Sequence, residues 1–196
     1  MTRMPSGGGA LLVACLLVAG CASSPPPHYY ALTSTAAPAA APSDAAPAVV
    51  IGSVTLPAEV DSPLILVEVG GNERRPLNQH RWSGPLERNL GEVLAADLAS
   101  ALGGAHAAYR PGNAALVPDY RVAVDVGRFE SRPGSSATLD AEWTVRRVSD
   151  GVLKRGHTLA NEAPAGESVA ALVAAHSRAV GTLARDIATT IEGLSH

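Results

Sequence analysis

The chain has 196 residues and a formal net charge of −3, from 15 lysines and arginines against 18 aspartates and glutamates. This balance excludes a strongly basic nucleic-acid binder, and an aromatic content of 4% leaves few rings on which bases could stack. The length suits one domain with a substantial apolar core, and we expect no nucleic-acid partner.

The chain opens with the zones of a secretory signal peptide. Arg3 supplies a positive start, and residues 10–19 form an apolar stretch too short to span a bilayer. Residues 18–21, Val-Ala-Gly-Cys, resemble the lipobox of bacterial lipoproteins, in which the chain is cut before the cysteine and the thiol receives a diacylglycerol. We therefore expect a lipoprotein signal peptide at 1–20 and lipidation of Cys21. The alternative is an ordinary secreted protein whose cysteine lies there by chance.

The two cysteines support this interpretation. Cys15 also ends a possible lipobox, but a cut before it would leave almost no apolar region. With Cys21 acylated, the mature protein has no thiol for a disulfide, a metal or a nucleophile. Each buried lipid methylene contributes about 0.8 kcal/mol, so three acyl chains would form a permanent anchor. Ala22, in place of an aspartate, favours the outer membrane under the enterobacterial sorting rule.

The segment after the signal divides into a tether and a domain. Residues 21–28 contain three successive prolines and are expected to form a short, semi-rigid, lipidated tether. The domain is expected over 29–196. Residues 29–32, Tyr-Tyr-Ala-Leu, are either a first strand or part of a longer tether, and adjacent aromatic residues favour the strand. Residues 34–47, rich in Ala, Pro and Ser, are expected to form a flexible loop.

Alternation and helical spacing predict the elements that follow residue 47. Strands alternate apolar and polar residues, helices repeat apolar residues every three or four positions, and glycine or proline marks their ends. The expected strands are 49–56, 64–69, 120–128, 139–146 and 152–159, and the expected helices are 85–102 and 169–191. This order describes an α+β fold, a single domain with a mainly antiparallel sheet and two main helices packed on one face.

The sequence lacks the residue patterns of catalysis and metal binding. It has no G-x-S-x-G motif and no phosphate-binding glycine loop, and none of its six histidines form a pair at i, i+4 spacing. Asp140 and Glu142 share one face of an expected strand, which a solvated surface explains better than a general acid/base pair. His176, on the apolar face of the last helix, is expected to be a satisfied core histidine. We therefore expect no enzyme, no catalytic residue, no metal and no cofactor.

One stretch of the sequence carries a more specific signal than composition or apolar spacing. Residues 80–102, HRWSGPLERNLGEVLAADLASAL, combine an Arg-Trp pair, a Pro-Leu pair and a leucine-spaced helix. They resemble the PqiC family, also called ABC-type transport auxiliary lipoproteins. The family's other landmarks lie in the expected order: Cys21 in a lipobox, the Y-Y-x-L start at 29–32 and the V-x-L-P strand end at 54–57. The resemblance covers most of the mature chain and is weakest after residue 104.

The resemblance implies a function. Members of the family are outer-membrane lipoproteins without known catalysis, and they work beside periplasmic MCE proteins in lipid transport. It implies a homo-oligomer anchored in the outer membrane, which docks a periplasmic MCE-domain protein and supports membrane integrity. The alternative is a lipoprotein regulator of peptidoglycan synthesis, although the short tether disfavours a protein that must cross much of the periplasm. Direct carriage of a lipid would require a cavity that sequence cannot show.

The candidate contact residues are His80, Arg81 and Trp82, which directly precede the first helix. A tryptophan at this place is usually a core anchor. Tryptophan and arginine are also over-represented at the energetic centres of protein interfaces, so the three residues are alternatively a partner contact. Sequence leaves both interpretations open.

Overall fold

A computed structural model describes residues 25–37, 46–112 and 117–195. The expected signal peptide, Cys21 and the centre of the expected 34–47 loop lie outside these residues. The elements in chain order are β1 (His28–Tyr30), β2 (Ala48–Thr55), β3 (Leu64–Gly70), β4 (Glu73–Trp82), α1 (Leu86–Ala101), β5 (His106–Tyr109), β6 (Tyr120–Arg132), β7 (Ser136–Arg147), β8 (Leu153–Glu162) and α2 (Val169–Leu194). Within the described part of the chain, no helix is both long and apolar enough to span a membrane.

The strands form two sheets. One has five strands in the order β5-β2-β6-β7-β8, and the other has three in the order β1-β4-β3. Pairs β1–β4, β2–β5 and β2–β6 are parallel, and pairs β3–β4, β6–β7 and β7–β8 are antiparallel. The α+β class and the single domain are confirmed, but the sheets are mixed. The β2–β5 pair is parallel because helix α1 carries the chain back over β2, so that β5 enters beside it in the same direction.

Two strands were not anticipated from the sequence. Strand β4, ERRPLNQHRW, is exposed over its first four residues and contains Pro76, so it lacks the alternation that marks a half-buried strand. Strand β5 has four residues, which is too short for a pattern to emerge.

Both helices pack on one face of the five-stranded sheet, called here the inner face. Helix α1 contacts β2 and β5, helix α2 contacts β7 and β8, and the two helices contact each other. The alternating residues of β6 and β7 supply the sheet side of this core, as expected. Its largest buried side chains include Ile51, Leu90, Leu94, Leu98, Leu139, Leu172, Leu183, Ile187 and Ile191.

Local signals define the helix ends and one close approach. Helix α2 begins after Ser168, whose Oγ accepts a hydrogen bond from the Ala171 amide at 3.1 Å. Helix α1 ends before Gly103, which has a φ of 67°. Gly91 lets α1 lie directly against β5, because a Cβ there would lie 2.6 Å from the Tyr109 ring.

The segment that follows β1 is hydrogen-bonded to both helices. The Thr33 amide donates to the Ser177 hydroxyl of α2 at 3.1 Å, and the other bonds are to α1. The Asn89 side chain pairs with the backbone N–H and C=O of Leu32, at 2.6 and 3.2 Å. The buried Asp97 accepts hydrogen bonds through Oδ1 from the Ser34 hydroxyl and from the amides of Thr35 and Ala36. The first residues of the expected 34–47 loop are therefore held against helix α1.

Candidate functional site at the end of strand β4

The end of β4 lies where the small sheet, the large sheet and α1 meet. Trp82 donates its backbone N–H to Pro63 at 2.9 Å, and Ser83 donates its own to Tyr30 at 2.8 Å. These bonds tie β4 to β1 and to the loop before β3. Helix α1 starts three residues after Ser83, so the site is built on regular elements on both sides.

Trp82 lies in the core, with 6% of its surface exposed. Its ring meets that of Phe129 edge-on, at 6.3 Å between centroids. Phe129 in turn stacks on His176 of α2 at 4.0 Å with an interplanar angle of 11°. The three rings link the small sheet, the large sheet and the last helix, so Trp82 anchors the junction.

His80 is held by the first strand. The parallel register places His28 beside His80 and Tyr30 beside Trp82. The Tyr30 hydroxyl lies 2.8 Å from Nδ1 of His80, and the His28 ring stacks on the His80 ring at 5.4 Å. This cluster secures β1, which is the element that the tether enters.

Arg81 points to the other side of the small sheet. It is half-buried and lies beside Tyr29, of which 63% is exposed. Nε of Arg81 is buried and has no hydrogen-bond partner among the described residues. A buried guanidinium nitrogen without a partner is costly, so this end of β4 carries an unsatisfied polar group.

An open cleft of about 360 Å³ lies beside Trp82. Its lining joins the loop before β3 to the start of α1: Asp61, Ser62, Pro63, Trp82, Ser83, Gly84, Pro85 and Leu86. The lining therefore combines apolar rings and a leucine with two serine hydroxyls and the Asp61 carboxylate. Such a surface suits an apolar side chain of a protein partner flanked by hydrogen-bonding groups.

The described residues contain no group of three or more His, Cys, Asp or Glu side chains placed to hold a metal ion. His176 is buried, and its Nε2 lies 2.8 Å from the Ser131 hydroxyl, whereas Nδ1 has no partner among the described residues. Burial lowers the pKa of His176 to about 3, so the ring is neutral. The expected core position is correct, but only one of the two ring nitrogens is satisfied.

The comparisons with known proteins identify the family. The chain matches the family model of the ABC-type transport auxiliary lipoprotein component over residues 30–188. The chain belongs to this family. The match runs from the end of β1 into α2 and includes the end of β4 and the cleft beside Trp82. ABC-type transport auxiliary lipoproteins are not a known enzyme family.

Solved structures share the fold of this auxiliary lipoprotein. A crystal structure of an uncharacterised protein is 18% identical and has a TM-score of 0.69, with 85% of this chain and 99% of that chain covered. Protein XCC0632 from Xanthomonas campestris is 23% identical and has a TM-score of 0.63, with 86% and 98% covered. No curated protein matches the chain in sequence. These likenesses establish the fold, and the family match establishes the general role.

Proposed function

We propose that this protein is a non-catalytic outer-membrane lipoprotein of an MCE-type lipid-transport system. It docks a periplasmic MCE-domain protein, forms homo-oligomers and supports membrane integrity. The observation that carries this proposal is the family match over residues 30–188, which makes the chain an auxiliary component of ABC-type transport. The charge of the chain and the site at the end of β4 are consistent with a protein partner.

Membrane attachment rests on Cys21. The first strand begins at His28, so fewer than ten residues separate the expected lipid from the folded domain. An extended chain of that length reaches about 25 Å, which keeps the domain close to its own membrane. Labelling with a palmitate analogue should be strong in the wild type and lost in Cys21→Ser, and undiminished labelling of the variant would contradict the anchor.

The proposed contact with the MCE protein wraps the end of β4, with the cleft beside Trp82 on one side of the small sheet and Arg81 and Tyr29 on the other. Arg81 offers a half-buried guanidinium group, and Tyr29 offers an exposed ring. Arginine and tyrosine are enriched among the residues that dominate binding energy. Loss of the Arg81 side chain should therefore cost more than about 1 kcal/mol of binding.

The test is co-purification of the full-length protein with the MCE protein encoded beside it. Arg81→Ala should reduce recovery, whereas Arg75→Ala, an exposed arginine of the same strand, should not. Thermal unfolding of both variants checks that the fold is intact. Equal recovery with both variants would remove Arg81 from the contact.

Deletion of the gene distinguishes the proposal from the alternative function. Loss of a lipid-transport component should sensitise cells to detergent. A change in peptidoglycan synthesis without loss of membrane integrity, and without any MCE partner recovered, would favour a peptidoglycan regulator.

A further inference from the structure

A cavity of about 170 Å³ lies where helices α1 and α2 meet the segment that follows β1. It is distinct from the cleft beside Trp82, with which it shares no lining residue. Both helices and the segment contribute polar groups to it. Its lining includes Thr35, Ala36, Asp97, Ser100, Gly181 and Arg185.

The carboxylate of Asp97 is satisfied at only one of its two oxygens. Asp97 is 3% exposed, and its Oδ1 accepts all three hydrogen bonds from the segment that follows β1. Its Oδ2 is buried, and no described residue donates a hydrogen bond to it. A buried carboxylate oxygen without a donor is costly. Oδ2 therefore needs a donor that the described part of the chain does not supply.

Gly181 leaves a space beside this oxygen. A Cβ at Gly181 would lie 2.8 Å from Oγ1 of Thr35, 3.6 Å from Oδ2 of Asp97 and 3.8 Å from Nη1 of Arg185. A hydroxyl, a carboxylate and a guanidinium group thus converge above a helix position that has no side chain. Nη2 of Arg185 donates to the Thr182 hydroxyl at 2.9 Å, which holds the guanidinium group near this space.

The two charges on either side of the space select the chemistry of a ligand. The distances to the Gly181 position place Oδ2 of Asp97 and Nη1 of Arg185 less than about 8 Å apart. An ammonium and a carboxylate on one carbon, with a charge-assisted hydrogen bond of about 2.8 Å at each end, span such a gap. A simple cation would be repelled by Arg185, and a simple anion would be repelled by Asp97. A zwitterion satisfies both groups.

We propose that this cavity binds the zwitterionic group of an α-amino acid. The ammonium donates to Oδ2 of Asp97, and the carboxylate accepts from Nη1 of Arg185. Oδ2 is closed to solvent, so the exposed Thr35 side chain turns aside as the ammonium enters. Ala36 and Ala101 in the lining leave room for a small side chain or for a chain that leads out to solvent. The inference goes beyond the proposed docking function and does not depend on it.

Two sources supply the same chemical group. A free amino acid carries an ammonium and a carboxylate on one carbon, and so does the side-chain end of diaminopimelate in a cell-wall peptide. A free amino acid would lie wholly within the cavity, whereas a cell-wall peptide would leave the rest of its chain in solvent. The two sources are separated by the probes used in the test.

The test is isothermal titration calorimetry of the full-length protein in detergent, with alanine as the probe. N-acetylalanine lacks the ammonium and alaninamide lacks the carboxylate, so each should bind about tenfold or more weakly than alanine. Gly181→Ala places a methyl group in the space and should raise the Kd for alanine by about tenfold or more. Arg185→Gln, a change of an exposed residue, should raise it to a similar degree.

Two matched variants serve as controls. Gly193→Ala makes the same change in α2 at a position with no atom within 4 Å, and Arg155→Gln removes an exposed arginine outside the cavity. Both should leave the Kd for alanine unchanged. Thermal unfolding of all four variants checks that the fold is intact. If Gly181→Ala fails to fold, Arg185→Gln and the two blocked forms of alanine still decide the outcome.

A second titration uses the cell-wall tripeptide L-alanyl-γ-D-glutamyl-meso-diaminopimelate. Tighter binding of the tripeptide than of alanine, lost in Gly181→Ala, would support the site with a cell-wall ligand. Tighter binding of alanine would support it with a free amino acid. No binding of either probe at millimolar concentration would overturn the site and leave Oδ2 of Asp97 to a water molecule. A Kd that is the same in Gly181→Ala, Arg185→Gln and the wild type would also overturn it.

Discussion

The two faces of the five-stranded sheet obey different rules. On the inner face every alternate residue of β7 from Ala137 to Val145 is buried and apolar, and residue type alone specifies which side faces the helices. On the opposite face, called here the outer face, the same strands carry charged side chains. The register between the strands decides which of these charges lie side by side. An inner face can therefore be predicted from one strand at a time, but the electrostatics of an outer face require the paired strands.

Two polar residues are exceptions to the apolar character of the core beneath the inner face. His176 and Asp97 are both almost fully buried, and each has one polar atom without a partner among the described residues. Each is also bonded to a segment distant in sequence, Ser131 for the histidine and residues 34–36 for the aspartate. Each of these two residues therefore joins its helix to a segment far from it in sequence.

The largest expected loss of stability comes from a comparison of two adjacent residues, Trp143 and Thr144, whose side chains lie on opposite faces of the sheet. Trp143 is buried and donates Nε1–H to the Thr158 hydroxyl at 3.0 Å, whereas Thr144 lies on the outer face. Trp143→Ala should lower the free energy of unfolding by about 3–5 kcal/mol, and Thr144→Ala by about 0.5 kcal/mol or less. Urea denaturation of both variants measures the difference. Similar losses would show that the two faces are not distinct in burial.

A pH experiment tests the buried histidine. Burial lowers the pKa of His176 from 6.5 to about 3, so below pH 6.5 the unfolded chain binds a proton that the folded chain does not. Stability from this group is therefore present above pH 6.5 and falls by about 1.4 kcal/mol per pH unit towards pH 3. Between pH 7 and 4.5, His176→Gln should lose about 2–3 kcal/mol less stability than the wild type. Equal pH slopes would contradict a neutral buried ring.

The close contact between α1 and β5 predicts a smaller loss of stability. A Cβ at Gly91 would lie 2.6 Å from the Tyr109 ring, so Gly91→Ala should destabilise by about 1–3 kcal/mol despite the better helix propensity of alanine. Gly193, also in a helix, has no atom within 4 Å of the same position, and Gly193→Ala should be stabilising. Thermal unfolding of both variants provides the check. A gain in both would mean that Tyr109 moves away without cost.

The smallest effect concerns the outer face of the monomer. Asp125 lies directly opposite Glu142 on this face. Glu142→Gln removes one charge of this repelling acidic pair and should raise stability by about 0.2–1 kcal/mol at low salt and high dilution. Glu92→Gln, which loses an exposed ion pair with Arg88, should lower it by about 0.5 kcal/mol. A loss of stability in both variants would show that Asp125 and Glu142 do not repel each other.

Sequence reasoning located the core helices and the long hairpins because their alternation is complete within one element. It missed β4 because the first half of that strand is exposed and shows no alternation. It missed the parallel pairs because the sequence pattern of one strand does not show which other strand it pairs with. The contact between Tyr30 and His80 joins residues fifty positions apart and follows only from the β1–β4 register. The buried Asp97 was detectable, because it continues the helical spacing of Leu86, Leu90 and Val93.

The most direct test of the proposed docking role places a photoreactive amino acid in the cleft beside Trp82. Ser83 is exposed and lines this cleft, and Thr189 is exposed on α2 and serves as the control position. Irradiation of intact cells should attach the MCE-domain protein to the probe at Ser83 and not to the probe at Thr189, with the adduct identified by mass spectrometry. Adducts at Ser83 with peptidoglycan enzymes alone, or equal capture of the MCE protein from both positions, would contradict docking at this site.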